Sequence, residues 1–304
     1  MTTVFLGTSE FAAAVLERIA RDPATRPALV ITRPDRPAGR GRRLLAPPVA
    51  ERSQALGVAL EQPQDVNAPE VLSLIAASGP PPATLIVCAF GAMIREPMLS
   101  AHEILNVHPS LLPRWRGAAP IERAIMAGDG TTGVCIMRLT AGLDSGPVCL
   151  SAAEPIRPED TYGSLAARLQ ELGGELLSRA LLEHPPFVAQ DEDGVSYAEK
   201  IQAGDRLLDP ARPAVELERL VRALTPHIGA RAQLADGTLI GVRSAALAAV
   251  EGEGAAGTGL REHDGRLLLD ASPGVLELLI VQPPGGRPME AGAYLRGRGL
   301  PGRP

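Results

Sequence analysis

Apolar and polar positions follow two different periods in the first half of the chain. Short runs of apolar and β-branched residues predict buried strands, and longer runs with apolar residues three and four apart predict helices. The predicted strands cover residues 3–7, 27–32, 83–90 and 103–108, and the predicted helices cover 10–22 and 69–79. This alternation predicts a mostly parallel sheet with helices on both faces. Ligands of such sheets bind beyond the carboxyl ends of the strands.

The pattern changes in the second half. A strand pair around the turn TAGLDSG precedes a long amphipathic helix over 161–184, and short strands with turn signals follow a further helix over 214–224. Asp236-Gly237 predicts a hairpin among these strands. We therefore expect an α/β fold with a Rossmann-like sheet, followed by a small OB-like β-barrel. The predicted domains are an α/β domain over 1–185, a linker over 186–206 and a barrel over 207–304.

Composition narrows the class of protein. The chain has 304 residues, of which 45% are hydrophobic, and its formal net charge is −5. No apolar stretch approaches the ~20 residues of a membrane span, and no basic segment precedes the first apolar run, so we expect a cytoplasmic protein without a membrane partner. The three cysteines and five histidines show no metal-ligand spacing, which predicts free thiols and no metal. We also expect a monomer.

Two polar side chains end the strand predicted over 103–108. Side chains two apart on a strand share a face, so Asn106 and His108 project to the same side. Alone, such a pair is also typical of a polar strand end with a histidine bonded to backbone. Further on, Asp144 stands between two glycines, in a loop free to fold back over the same strand ends. An Asp in that setting is also typical of a turn residue that satisfies its own backbone.

Together, an amide, an imidazole and a carboxylate suit acyl-type transfer to an amine. The tetrahedral intermediate carries a negatively charged oxygen, which Asn106 and His108 can stabilise as hydrogen-bond donors. The attacking amine must be neutral and must lose a proton, for which Asp144, or His108 held by Asp144, can act as the base. No serine or cysteine nucleophile is required.

The stretch NVHPSLLPRWRGAAPIERAIMAGDGTTGVCIMRLTAGLDSGPV, from Asn106 onward, resembles the signature of the 10-formyltetrahydrofolate-dependent formyltransferases. The likeness is close to the members that formylate methionyl-tRNA, and it extends to residues 7–19, 32–44, 87–94 and 197–201. It implies that Asn106, His108 and Asp144 are the catalytic triad. It also implies 10-formyltetrahydrofolate as co-substrate and a folate site that consists of Ser110, Leu111, Leu112, Pro113, Phe90, Gly91, Ala92 and Thr140.

The segment RPDRPAGRGRRLLAPP, residues 33–48, distinguishes among substrates of this family. Five arginines stand against one aspartate between residues 33 and 43, a local formal charge of +4 in an acidic chain. Its glycines and prolines argue against a regular helix or strand. A run of charge of this kind is also typical of a solvated surface loop. Because arginine forks bind phosphates and stack on bases, it also suits an RNA contact. The resemblance implies that this loop enters the acceptor end of tRNA, and the RNA-binding candidates are Arg36, Arg40, Arg42 and Arg43.

The resemblance implies an enzyme that formylates the α-amino group of methionine on initiator tRNA and so supplies formylmethionyl-tRNA for translation initiation. The alternative is formyl transfer to a small amine, such as a nucleotide sugar or a ribonucleotide, because the same fold core serves several acceptors. A third reading is an RNA-binding module that has lost catalysis. A nicotinamide oxidoreductase fits poorly, since GTSEFA lacks the G-x-G-x-x-G pattern.

Overall fold

The computed structural model of the protein describes residues 2–38, 43–249 and 259–300. Its residues group into two compact units, and each unit is discontinuous in sequence. The first unit takes in Met1–Gly117, Thr131–Pro155 and Ala166–Tyr197. The second takes in Ala118–Gly130, Ile156–Leu165 and Ala198–Pro304. The domain boundaries expected at residues 185 and 206 stay a prediction. The second unit also takes in two short segments from the first half of the chain, Ala118–Gly130 and Ile156–Leu165, which linear boundaries do not provide for.

The strands up to residue 198 are β1 (Thr2–Gly7), β2 (Leu29–Ile31), β3 (Arg36–Ala38), β4 (Arg43–Leu45), β5 (Ala59–Glu61), β6 (Ala83–Cys88), β7 (Glu103–His108), β8 (Arg116–Gly117), β9 (Thr131–Arg138), β10 (Val148–Pro155) and β11 (Tyr197–Ala198). The helices in this range are α1 (Glu10–Ala20), α2 (Pro48–Leu56), α3 (Pro69–Ala77), α4 (Met98–Ala101), α5 (Pro120–Ala127) and α6 (Tyr162–Glu183).

Seven of these strands form the sheet of the first unit, in the order β10-β9-β7-β6-β1-β2-β5. Five of them are parallel, while β9 runs antiparallel to β7 and β10 antiparallel to β9. Strands β1 and β6 are buried along their whole length, as expected for a sheet covered on both faces. Local signals set the helix ends: the Ser9 hydroxyl accepts a hydrogen bond from Ala12 N to cap α1, and α2, α3 and α5 each begin with proline. The predicted parallel sheet is confirmed.

The arginine-rich segment contains strands, so the expectation that residues 33–48 form no regular strand is wrong. Strands Arg36–Ala38 and Arg43–Leu45 pair antiparallel, with Pro37 opposite Leu44. Composition misleads here because a proline at an outward-facing position of a two-stranded ribbon loses no ladder hydrogen bond. Two short strands therefore form where glycine and proline suggested only loop.

The second unit contains a six-stranded antiparallel sheet. Its elements after residue 198 are a 3-10 turn (Gly204–Arg206), α7 (Ala214–Leu224), β12 (Ala230–Gln233), β13 (Leu239–Leu247), β14 (Gly259–His263), β15 (Arg266–Asp270), β16 (Val275–Gln282), β17 (Met289–Glu290) and α8 (Ala291–Arg298). The sheet order is β12-β13-β16-β15-β14, and β17 pairs with β16. Fully buried leucines of α7, among them Leu217 and Leu224, pack in the core of this unit with Ile240 and Leu276 of the sheet. This curled antiparallel sheet agrees with the predicted small barrel domain, and β12 and β13 form the predicted hairpin at Gly237.

None of the helices within the described residues has the length and apolar character that a membrane crossing requires.

Candidate active site

Asn106 and His108 lie at the carboxyl end of β7, in the interior of the sheet. Asn106 stands between Val87 of β6 and Met137 of β9, and His108 stands beside Cys135 of β9. Only 8% of Asn106 and 3% of His108 are exposed to solvent. Their polar groups are thus withdrawn from water and depend on protein partners. Their place at the carboxyl end of the strand is the one that the sequence pattern predicts.

The Asp144 carboxylate meets both side chains. Its Oδ1 accepts a hydrogen bond from Asn106 Nδ2 at 3.3 Å, and its Oδ2 accepts one from the backbone N–H of Gly117 at 2.9 Å. The same Oδ2 lies 3.7 Å from His108 Nδ1. The loop between β9 and β10 therefore folds back over the end of β7, and the structure brings the three sequence-predicted residues together.

A backbone carbonyl fixes the tautomer of His108. Its Nε2 lies 2.9 Å from the carbonyl oxygen of Trp115, an oxygen that can only accept, so Nε2 carries the proton. Trp115 has a φ of 65°, a conformation that non-glycine residues seldom adopt, and the Trp115 N–H donates to the Ser196 hydroxyl at 3.0 Å. In the neutral ring Nδ1 is unprotonated and faces Asp144.

Burial sets the protonation state of His108. Burial lowers the pKa of His108 because the charged ring loses its hydration, and the Asp144 charge and the Trp115 carbonyl partly oppose this shift. His108 is therefore neutral near pH 7 and ready to accept a proton at Nδ1, where Asp144 would stabilise the resulting cation.

The loop that carries Asp144 is held tightly. Asp144 has a φ of 43°, and a Cβ added at Gly146 would lie 1.9 Å from the carbonyl oxygen of Arg138, so only glycine fits there. The Gln190 side-chain amide donates to the carbonyl oxygens of both Asp144 and Gly146, at 2.8 and 2.7 Å. The sequence interpretation missed Gln190, which falls in the predicted linker and has no periodic neighbours. Its sole local signal is an uncharged amide directly before an acidic run.

The predicted folate residues of the SLLP turn follow directly after β7. Ser110 is fully buried, and its hydroxyl donates to the carbonyl oxygen of Arg114 at 2.6 Å, so this group shapes the turn. Leu111, Leu112 and Pro113 are each half-buried and offer an apolar surface.

The other predicted folate residues lie on two loops at the strand ends. Phe90 is buried in the core, and its carbonyl accepts a hydrogen bond from the Thr8 hydroxyl at 2.8 Å. Gly91 has a φ of +71° and is exposed, and Ala92 is half-buried. Thr140 is exposed. Phe90 therefore contributes packing, and the backbone around Gly91 and the Thr140 hydroxyl are the accessible groups.

The four arginines predicted to bind RNA belong to the β3–β4 segment. Arg36 is exposed at the start of β3, and Arg43 begins β4. Arg40 and Arg42 lie outside the described residues. The two leucines that follow Arg43 are 67% and 56% exposed, which places apolar surface beside the cationic segment. The sequence interpretation did not single out these leucines.

Neither a metal nor a thiolate nucleophile is indicated at this site. Among the described residues, no group of three His, Cys, Asp or Glu side chains is arranged to hold a metal ion. Burial raises the pKa of Cys135, beside His108, to about 11, so its thiol stays protonated at neutral pH. The site has a buried amide, a buried imidazole and a half-buried carboxylate for its chemistry.

Comparisons with known proteins agree with this arrangement. A family model described as formyl transferase matches residues 1–181, and one described as formyl transferase, C-terminal domain, matches residues 200–299. The chain is 42% identical over 311 residues to the methionyl-tRNA formyltransferase of Halorhodospira halophila, covering 99% of this chain and 98% of that protein. It is 41% identical over 307 residues to the methionyl-tRNA formyltransferase of Ruegeria pomeroyi, covering 99% and 98%.

Two solved structures are similar in fold. The methionyl-tRNA formyltransferase of Clostridium thermocellum matches with a TM-score of 0.61 and 12% identity, over 82% of this chain and 94% of that one. HypX of Aquifex aeolicus, in complex with tetrahydrofolic acid, matches with a TM-score of 0.62 and 16% identity over 99% of this chain. That match covers 48% of HypX, so this chain spans about half the length of that protein. At these identities the likeness shows the fold.

Proposed function

Because the chain belongs to the formyl transferase family, we propose that it transfers the formyl group of 10-formyltetrahydrofolate to the α-amino group of methionine on initiator methionyl-tRNA. The observation that carries this proposal is the meeting of Asn106, His108 and Asp144 at the end of β7. The presence of both family domains supports the same acceptor as the relatives of matching length.

Asn106 is proposed to stabilise the oxygen that gains negative charge. One N–H of its side chain donates to Asp144, and among the described residues the second has no hydrogen-bond partner. Asp144 fixes the orientation of the amide, because the carboxylate can accept only from the NH₂ group. A preorganised donor of this kind contributes roughly 3–4 kcal/mol to an acyl-transfer transition state. The Nε2–H of His108 donates to the Trp115 carbonyl, so Nδ1 is the free edge of the ring. A donor role for His108 would fall to Nδ1 of the protonated ring, and it stays a prediction.

His108 is proposed to move the proton. When the neutral amine attacks the formyl carbon, its nitrogen becomes cationic, and His108 Nδ1 accepts the surplus proton. Asp144 then faces an imidazolium 3.7 Å away and stabilises it. The same proton passes from His108 to the folate nitrogen as the carbon–nitrogen bond to that nitrogen breaks, so charge and protons balance. Neither step requires a covalent enzyme intermediate.

The residues around β7 fit a folate co-substrate. Leu111, Leu112 and Pro113 offer an apolar wall for a flat ring, and among the described residues no hydrogen bond occupies the backbone of residues 140–142. Free peptide groups of this kind suit the amide and amine edge of a pterin. These residues, with the backbone of Phe90, Gly91 and Ala92, would hold the co-substrate, which supplies the formyl group.

The β3–β4 segment is the proposed contact for the tRNA acceptor end, through Arg36, Arg40, Arg42 and Arg43. Its local charge of +4 favours phosphates. The exposed leucines of β4 suit an apolar contact with a base. We propose residues 207–304 as a second tRNA-binding platform, joined by the linker 186–206 to a catalytic domain over 1–185. We also propose that the protein is a monomer and that it acts in the cytoplasm, where aminoacylated tRNA is present.

The proposed acceptor predicts a sharp substrate preference. With 10-formyltetrahydrofolate as donor, the protein is expected to formylate methionylated initiator tRNA, and not free methionine, an amino sugar nucleotide or glycinamide ribonucleotide. The reaction should also slow steeply between 50 and 200 mM salt, by roughly tenfold or more, because phosphate contacts weaken with ionic strength. Formylated product is measured after acid-gel or chromatographic separation.

Equal formylation of a small amine without RNA would contradict this acceptor and favour the alternative. Product with methionylated elongator tRNA at the rate of the initiator would contradict the initiator preference alone.

A further inference from the structure

Gln190 and Arg116 hold the Asp144 loop in a way that the sequence did not indicate. The two N–H bonds of the Gln190 amide go to the carbonyls of Asp144 and Gly146. The Asp144 loop has a left-handed residue at its centre and no helix or strand of its own. Removing this amide would leave two carbonyls of the loop without partners.

Arg116 sets which way the Gln190 amide points. Its Nε donates to Gln190 Oε1 at 3.0 Å. Because a guanidinium can only donate, the amide oxygen must face Arg116 and the NH₂ group must face the loop. The orientation of Gln190 is therefore determined by the protein on both sides.

The backbone of the same segment contacts both members of the proton-transfer pair. The Trp115 carbonyl accepts from His108, and the Gly117 N–H donates to Asp144. The Arg116 N–H donates to the Ser196 carbonyl at 2.9 Å, which anchors the segment between these two contacts. One stretch of three residues thus relates the position of His108 to that of Asp144.

Arg116 places a guanidinium in the interior of the first unit. The residue is 4% exposed, and its Nη2 has no hydrogen-bond partner in the described protein; the nearest carboxylate is 3.9 Å away, on the exposed Glu192. A buried cation with an unused donor destabilises a fold. The side-chain hydrogen bond that the structure shows for Arg116 is the one to Gln190 Oε1.

We infer that Gln190, oriented by Arg116, is a positioning residue that keeps the Asp144 carboxylate against His108 Nδ1 during proton transfer. This inference deepens the proposed function and depends on it for its effect on turnover. The contact itself does not depend on that function, and it is tested without turnover.

The test is a titration of His108 by ¹⁵N NMR in the full-length protein, with the His108 signal identified by its loss in His108→Gln. Among the charged groups, Asp144 is the one that acts on His108, and its charge opposes the lowering of the His108 pKa by burial. In Gln190→Leu the Asp144 carboxylate is no longer held against His108, so it opposes the lowering of the His108 pKa less. The midpoint of the His108 titration is therefore expected to move to lower pH. Asp144→Asn removes the charge altogether, so it should give the largest shift of the His108 midpoint, against which the shift in Gln190→Leu is compared.

Gln282→Leu is the matched control. Gln282 also donates its amide to a backbone carbonyl, that of Gly286, and accepts from an arginine, Arg243, but in the six-stranded sheet of the second unit. Its loss should lower the melting temperature as Gln190→Leu does and leave the His108 midpoint at the wild-type value. If the role of Gln190 is purely structural, Gln190→Leu should behave like Gln282→Leu: the melting temperature falls and the His108 midpoint stays at the wild-type value.

The activity arm separates the two proposals. In Gln190→Leu we expect kcat to fall by about 100-fold, the cost of a misplacement of ~1 Å, with KM changed less than about threefold for either substrate. If Gln190→Leu does not fold, Gln190→Met removes the same amide with a flexible side chain that adds no charge near His108, and the same shift is expected. A wild-type midpoint in both Gln190 variants, with Asp144→Asn shifted, would overturn the inference. A wild-type enzyme without formylation would instead overturn the proposed function.

Discussion

Replacing His108 with glutamine is expected to lower kcat by ~10²–10⁴-fold, the range for loss of a general base. The glutamine amide can still donate to the Trp115 carbonyl, but it cannot accept the proton of the attacking amine. Binding of tRNA should stay within about threefold of wild type, because only 3% of His108 is exposed. Single-turnover formylation and a separate tRNA-binding assay measure the two quantities.

His102→Gln is the matched control for this variant. His102 is half-buried directly before β7, at the opposite end of the strand from His108, and its Nδ1 lies 3.3 Å from the Ala83 carbonyl. Its replacement should leave kcat within about twofold of wild type. More than a tenth of the wild-type kcat in His108→Gln would contradict proton transfer by His108.

The second large effect concerns RNA. Replacing Arg40 and Arg42 together with alanine is expected to raise KM for tRNA by about 100-fold and leave KM for the folate within about twofold. A hydrogen bond to a charged group contributes roughly 1.5 kcal/mol, or about tenfold in affinity for each arginine. The dependence of kcat/KM on salt should also become shallower, because fewer counterions are released on binding. Initial rates over a range of tRNA and salt concentrations measure both.

The control removes two charges elsewhere on the first unit. Arg21, directly after α1, and Arg179, in α6, are exposed, and each forms an ion pair with a glutamate four residues away in sequence. Arg21→Ala with Arg179→Ala changes the net charge equally and should leave KM for tRNA within about twofold. An equal rise of KM for tRNA in both double variants would show that the arginine segment acts only through the overall charge of the protein.

Much of the fold and the centre of the site could be predicted from the sequence because the signals are local. The run EILNVH predicts a strand, and the period of two places Asn106 and His108 on one face; both expectations are confirmed. The return of Asp144 to that face followed from a loop between glycines and is seen in its contacts.

The contacts that orient these groups could not be predicted in the same way. The Trp115 carbonyl and the Gly117 N–H carry no side-chain signal, since any residue supplies the same peptide group. Gln190 contacts a loop 46 residues earlier in the chain. Such contacts depend on how distant segments pack, and no local period records them.

The sequence interpretation also failed for two local elements, the strands of the arginine-rich segment and helix α5. Glycine and proline in the arginine-rich segment suggested loop, whereas the described part forms β3 and β4, whose outward-facing positions tolerate proline. Helix α5 (Pro120–Ala127) was not predicted, and it groups with the second unit although it lies between β7 and β9 in sequence. Grouping of this kind follows from the packing of its apolar face, which sequence order does not reveal.

We propose that the Asp144 carboxylate serves the chemical step through its place beside His108 and Asn106. The most direct measurement is the single-turnover rate of formylmethionyl-tRNA formation with saturating initiator methionyl-tRNA and 10-formyltetrahydrofolate, in wild type and in Asp144→Asn. We expect a rate constant at least about 100-fold lower in the variant, and the acidic limb of its pH–rate profile should move to lower pH, because the charge that raises the His108 pKa is gone. A folded Asp144→Asn protein that reacts within threefold of wild type would contradict it.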